Sequence, residues 1–388
     1  MNNINVYHLL RDEIWIEGAI RMFDDIDSIN NNYIYIEPIQ DKSLKHINNI
    51  DNLDIVQVDE IGSYLESVPH GSIVFVHSLS NYHANIVNKY HNKYKFVWLI
   101  MGADMYQNKY IYDKNIYDEY TYQLKPCKKR RIGILKKIYW LFKYKSFNYL
   151  DYQKVNIAKA AKKIKYVGTY QQEQLDLLQS LDAVDNEAMR FHFAYYPLEY
   201  IIKDDNPEIT GFDILLGNSA SCSNNHIEAI NILSGLDNID GKIYCPLSYG
   251  DMEYADKIIE YGKKKLGNTF EPIEKLLPLE EYNQILSKCN IVVMNHYRGQ
   301  ASGNILSALY RGSKVFMNPK STIYRYLKNK GVYVYNIYNI NRNDEHTYDI
   351  VVNNRNILRD EISSESIKNS IKHNINLINN HDINKINS

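Results

Sequence analysis

Short apolar runs alternate with longer polar or amphipathic segments along the whole chain. In the first half the runs cover residues 4–10, 33–36, 54–58, 72–77 (SIVFVH), 95–101 (KFVWLIM) and 164–167. Runs of this length are strand candidates, and the clearest are 72–77 and 95–101. Residues 15–23 have helical spacing. The polar segment 203–210, which contains Pro207, interrupts the pattern and predicts a domain boundary. Beyond it the pattern restarts. Strands are expected over 213–216, 242–245, 291–294 and 315–317, and helices over 227–233, 254–266 and 280–288. Strands separated by helices predict βαβ units. The class is α/β, with two Rossmann-like domains over residues 1–202 and 203–365. In the tail, residues 366–388, the positions Ile367, Ile371, Ile375 and Ile378 keep one helical face. That face predicts a helix or tail that packs on the first domain.

The stretch 295–310, NHYRGQASGNILSALY, follows the apolar run 291–294. It reads as strand, polar glycine-containing loop, then helix. Loops after parallel strands are where α/β proteins bind ligands. This one holds Asn295, Arg298, Gln300 and Ser302, and Ser302, Gly303 and Asn304 open the helix. Backbone N–H groups at a helix start attract anions, and Arg298 adds a fixed positive charge, so a phosphate or diphosphate is the simplest ligand. Gly217, Asn218 and Ser219 likewise follow a strand and precede a helix, where small residues allow close approach of a ligand. Tyr249 and Gly250 end a third strand, and Tyr249 could stack on a base or a sugar. His226, just beyond Ser219, reads either as a surface histidine or as a ligand contact. In the first half Asp12, Asp104 and His77 lie at strand ends. Any of them could take a proton from an acceptor hydroxyl. A transfer with inversion needs such a base, whereas a retaining one does not.

Composition narrows the classes. The 388 residues carry a net charge of -1, so no global basic field suggests nucleic-acid binding. The four cysteines, Cys127, Cys222, Cys245 and Cys289, form no CxxC pair, against a zinc ribbon or redox motif. The start MNNINVYHLLRDE lacks the basic and apolar regions of a signal peptide, and no run reaches the length of a membrane span. A cytoplasmic protein is expected, peripheral on the inner face of the membrane. There is no P-loop, no GxGxxG and no DxD triplet. No cofactor is expected, and the diphosphate would be held without a metal.

One local feature departs from the neutral whole. Residues 125–145 read KPCKKRRIGILKKIYWLFKYK and contain no acidic residue. Lys128, Lys129, Arg130, Arg131, Lys136 and Lys137 interleave with apolar and aromatic residues such as Trp140. A cationic amphipathic stretch of this kind suits an anionic membrane surface better than nucleic acid, for which no motif is present.

Several blocks, in order, resemble one known family. GNSASCSNNHIEAI, CPLSYGDMEY, PLEEYNQIL and NHYRGQASGNILSALYRGSKVF are similar to the C-terminal half of the TDP-N-acetylfucosamine:lipid II N-acetylfucosaminyltransferases, glycosyltransferase family 56. HLLRDEIWIEGAIRMF and WLIMGADMY resemble that family's N-terminal segments. The resemblance implies a GT-B fold, two Rossmann-like domains facing across a cleft. It implies a nucleotide-sugar donor, TDP-linked, and a polyprenyl-diphosphate-linked saccharide acceptor in surface-polysaccharide synthesis, such as O-antigen, capsule or a common antigen. By similarity, Gly217, Asn218, Ser219, Tyr249, Gly250, Arg298, Gln300, Ser302, Gly303 and Asn304 face the donor, and Asp12 and Asp104 the acceptor. Gly299 and Ser302 stand where relatives carry a glutamine and a larger apolar residue. Two other readings use the same loops: a non-catalytic nucleotide-sugar-binding or assembly protein, and a nucleotide-sugar epimerase.

Overall fold

The computed structural model describes residues 3–13, 15–37, 44–47, 53–124, 134–144, 149–202, 208–236, 239–341 and 345–380. The chain divides into two compact units. The first comprises Met1–Lys114, Arg130–Pro197 and Ile362–Ser388; the second comprises Asn115–Lys129 and Leu198–Glu361.

The first unit is built on seven strands: β1 (Ile4–Leu10), β2 (Ile29–Glu37), β3 (Leu53–Gln57), β4 (Ile73–His77), β5 (Lys95–Leu99), β6 (Tyr166–Gly168) and β7 (Met189–Phe191). All pairings are parallel, in the order β3-β2-β1-β4-β5-β6-β7. Every residue of β4, IVFVH, is buried, as expected of a central strand covered on both faces. The order turns around β1 and β4, so the crevice of this unit opens at their carboxyl ends.

The second unit carries six strands: β8 (Asp213–Leu216), β9 (Ile243–Pro246), β10 (Phe270–Ile273), β11 (Cys289–Met294), β12 (Lys314–Met317) and β13 (Tyr335–Asn336). Again all are parallel, in the order β10-β9-β8-β11-β12-β13. Here the switch falls between β8 and β11. The strands β7, β10 and β13 are additions to the sequence expectation. Each is short and lies at a sheet edge, where a weak apolar pattern suffices.

Two segments lie differently from the expected division at 202/203. Residues 115–124 belong to the second unit, not the first. Side chains of that unit hold them: Asp118 donates its backbone N–H to Asn225 Oδ1 (2.8 Å), and Thr121 donates N–H and Oγ1–H to the Glu228 carboxylate. The helix Leu198–Ile201 also joins the second unit, against the helix Ser302–Arg311. In contrast, the helix Ser364–Asn380 is part of the first unit and buries Ile367, Ile371, Ile375 and Ile378 there. Each buried isoleucine contributes roughly 1.5–3 kcal/mol. Lys368 pairs with Asp25, and Lys95 Nζ donates to the Ile378 carbonyl (2.8 Å).

Candidate functional site

At the carboxyl edge of the second sheet, two turns depend on glycine. Gly217, just after β8, has φ +69°, and a Cβ there would lie 2.6 Å from His226 Nε2. Gly250, after β9, has φ +120°, and a Cβ would lie 2.6 Å from the Ala220 carbonyl. Both conformations and both contacts exclude a side chain. Ala220 and Gly250 pair as a bridge, which joins the two turns. His226 is therefore not on the surface. It is fully buried beneath Gly217, with Nδ1 on Tyr254 OH (3.2 Å), and burial pushes its pKa down to about 3.

Above this floor runs a chain of side-chain hydrogen bonds. Asn218 Nδ2 donates to Tyr249 OH (3.2 Å), and Asn218 Oδ1 accepts from Gln300 Nε2 (3.0 Å). Gln300 Oε1 accepts from Arg298 Nε (2.6 Å) and from Ser223 Oγ (2.7 Å). Each amide thus has its orientation set by its neighbours. Arg298, Gln300, Ser302, Gly303 and Asn304 remain partly exposed, and Tyr249 is 53% exposed. The helix Ser302–Arg311 starts after Ala301, which sits at φ +58° and supplies no side-chain cap. A Cβ on Gly303 would meet nothing within 4 Å, so the space over the first turn is open. Uncapped N–H groups, the helix dipole and Arg298 together favour an anion at this spot.

Three residues expected at the donor lie beneath this layer. Gly217 and Ser219 are buried, and the Ser219 carbonyl accepts from Asn224 Nδ2 (2.9 Å). Asn295 is buried as well and ties strand ends together. Its Nδ2 donates to the Asn225 carbonyl (3.1 Å), Asn225 Nδ2 donates to the Asn295 carbonyl (3.0 Å), and Asn295 Oδ1 accepts from Asn318 Nδ2 (2.8 Å). Both polar atoms of this buried amide are engaged, so Asn295 ties the loop to neighbouring strand ends. His296 is wholly buried; burial and the Arg298 charge hold its pKa at about 3, so it stays neutral.

The first unit brings Asp12, Asp104 and His77 to the carboxyl edge of its own sheet. Asp104 Oδ2 accepts from Trp98 Nε1 (2.7 Å) and Leu79 N (3.0 Å), and Oδ1 accepts from Met101 N and Met105 N (3.2 Å each). That carboxylate organises the loop after β5. His77 is fully buried, with Nε2 on His8 Nδ1 (3.1 Å). Burial and the neighbouring histidines His8 and His83 hold its pKa well below the ordinary value. Asp12 is partly exposed and accepts backbone N–H bonds from Lys45 and His46 (2.8 Å to the latter). Arg11, which sequence reasoning passed over, bridges Ser78 Oγ (3.3 Å) and Glu13 Oε1 (3.1 Å) beside it.

Of the cationic stretch, Lys128, Lys129, Arg130 and Arg131 lie outside the described residues. The helix Ile134–Tyr144 exposes Ile134 (75%), Leu135 (84%) and Phe142 (83%), with Lys136 and Lys137 also outward. Trp140 departs from expectation. It turns inward, with its ring 5.9 Å from that of Tyr149, because its place on the helix is opposite the exposed apolar face. Among the described residues no helix is long and apolar enough to cross a membrane.

Two all-parallel Rossmann-like units in one chain make up the GT-B fold. Solved structures agree on the fold. A glycosyltransferase from Rickettsia africae superposes with TM-score 0.57 at 11% identity, covering 97% of this chain and 99% of that one. HepE of Anabaena, in complex with UDP-glucose, gives 0.62 at 9% identity (97% and 100%), and sucrose-phosphate synthase from Thermosynechococcus elongatus gives 0.61 at 9% (97% and 99%). No curated protein matches the sequence. Residues 141–360 match the 4-alpha-L-fucosyltransferase model of glycosyl transferase group 56, and the chain belongs to that family. It is a sugar transferase, and the epimerase and non-catalytic readings fall away.

Proposed function

We propose that this protein moves a deoxy- or acetamido-sugar from a nucleoside diphosphate, TDP-linked, to a polyprenyl-diphosphate-linked saccharide in surface-polysaccharide synthesis. The observation that carries the donor half is the Tyr249–Asn218–Gln300–Arg298 chain beside an uncapped helix start. As the bond between the anomeric carbon and the phosphate oxygen breaks, negative charge grows on the departing diphosphate. Arg298 and the Ser302, Gly303 and Asn304 turn offset that charge in place, without a metal ion. In an inverting transfer, the acceptor oxygen bonds to the anomeric carbon and its proton passes to a base. Asp12 suits that role best of the three strand-end groups. It is partly exposed and oriented by two backbone N–H groups, whereas His77 is enclosed and Asp104 holds four N–H donors. The exposed apolar and cationic face of the helix Ile134–Tyr144 supports a seat on anionic lipid, where such an acceptor resides.

A thermal-shift series with TDP, UDP and GDP tests the donor. A nucleotide at ~100 times its dissociation constant should add roughly 2.7 kcal/mol of stability. Transfer from the preferred nucleotide sugar to a polyprenyl-diphosphate saccharide, undiminished by EDTA, is the expected activity. A protein that binds nucleotide but transfers only to water or to free sugars refutes the lipid-linked acceptor.

A further inference from the structure

The second unit holds a hollow of about 430 Å³ that the donor loops named so far do not account for. Its wall is formed by Tyr117, Asp118, Glu119 and Tyr122 from the segment that joined this unit, and by Tyr297 and Lys320 from the ends of β11 and β12. Tyr297 stands between His296 and Arg298 in the anion-binding loop. Tyr297 and Asp118 line the same wall, and Lys320 Nζ lies 4.0 Å over the Tyr297 ring. The hollow is fixed to the loop at two further points. Asn225 Oδ1 holds Asp118 N while Asn225 Nδ2 holds the Asn295 carbonyl, and Asn318, tied to Asn295, accepts from Lys320 N (3.0 Å). Loop and hollow therefore form one structure.

We propose that this hollow takes the sugar ring of the donor and sets which sugar is accepted. The inference rests on the donor reading above. A diphosphate at Arg298 and the Ser302 turn carries a nucleoside at one end and a sugar at the other. On the β8–β9 side of the loop, Tyr249 offers an open aromatic face for a base. On the β11–β12 side lies the hollow. Its volume falls at the low end of small-molecule sites, which run to roughly 300–1,000 Å³. Two carboxylates against one ammonium repel a phosphate but accept O–H and N–H donors, which a pyranose with hydroxyl or acylamino groups supplies. Tyr117 and Tyr122, with ring centroids 6.4 Å apart, present apolar faces to the C–H face of the ring or a deoxy methyl group. Lys320 adds a cation to this wall, one residue before Ser321, whose Oγ–H donates to the Arg298 carbonyl (3.3 Å).

The test compares matched ligands on the whole protein: TDP and UDP, and each of them carrying glucose, N-acetylglucosamine or a 6-deoxyhexose. The wild type should bind at least one nucleotide sugar more tightly than its parent nucleotide. Tyr122→Ala and Asp118→Asn should reduce that sugar-dependent gain tenfold or more and leave affinity for the bare nucleotide within twofold. Equal loss for nucleotide and nucleotide sugar would make the hollow a nucleoside site and overturn the proposal. So would wild-type binding with no gain from any sugar, or variants that keep the gain in full. A wild type that binds no nucleotide at all would instead refute the donor reading itself.

Discussion

At the carboxyl edge of the first sheet two of the three strand-end groups are committed inward: Asp104 holds four N–H donors and His77 is sealed against His8, while Asp12 keeps a partly exposed face. At the matching edge of the second sheet, Tyr249, Asn218, Gln300 and Arg298 bond to one another and still present surface to solvent. The same position in the same kind of sheet thus does two jobs. Where hydrogen bonds run inward, a carboxylate stabilises its loop. Where they run sideways along the surface, the side chains are oriented but remain able to meet a ligand. A strand-end residue is a candidate for chemistry only if its partners leave a face open.

That contrast can be broken first at Arg298. Arg298→Ala should lower kcat by about 10²–10³ through loss of charge on the leaving diphosphate, with the unfolding midpoint almost unchanged. Arg298→Lys should recover part of the rate, because the charge returns without the Nε bond to Gln300. Asp104→Ala should do the reverse. Leaving its donors without an acceptor should cost about 3 kcal/mol of stability in urea denaturation, and activity should be lost only as the protein unfolds. Gly217→Ala, on the inner floor of the second site, should cost about 2–3 kcal/mol from the positive φ and the contact with His226.

Acid sharpens the comparison further. His8 and His83 in the first unit, and His226 and His296 in the second, have pKa values lowered by burial to about 3, 4, 3 and 3. The unfolded chain binds protons at these sites near pH 6.5, and the folded chain does not. Their neutral forms give full stability above that pH, and it drains away as pH falls from about 6.5 toward 3. Each should forfeit about 2 kcal/mol by pH 5 in denaturant titrations. A flat stability profile between pH 7 and 5 would mean that these rings are not enclosed. The smallest effect belongs to the surface helix. Leu135→Ser with Phe142→Ser should leave stability within about 0.5 kcal/mol and reduce co-sedimentation with anionic vesicles several-fold.

The fold class was legible because a buried parallel strand writes itself as an uninterrupted apolar run. The run 291–294 contains no other message, and in 4–10 only Asn5 and His8 break the pattern. The loop 295–310 was legible for a related reason: glycine, serine and arginine between a strand and a helix have few structural uses. What stayed hidden is which side chains turn inward. Nothing local marks His226 as enclosed or Asn295 as a tie, because both depend on residues far along the chain, Tyr254, Asn225 and Asn318. The hollow beside Tyr297 was invisible for the same reason. One wall comes from residues 117–122, whose attachment to the second unit is set by Asn225 and Glu228 more than a hundred positions later.

The helix Ser364–Asn380 has a consequence for how the protein is made. Its four isoleucines fill a socket in a unit whose last strand, β7, ends at Phe191. At translation rates of 5–20 residues per second, that socket stays open on the ribosome for on the order of 10–40 s while the whole second unit is synthesised. During that interval the first sheet waits with an apolar groove uncovered. A chain stalled before residue 364 should therefore be a client for chaperones, however sound its first seven strands.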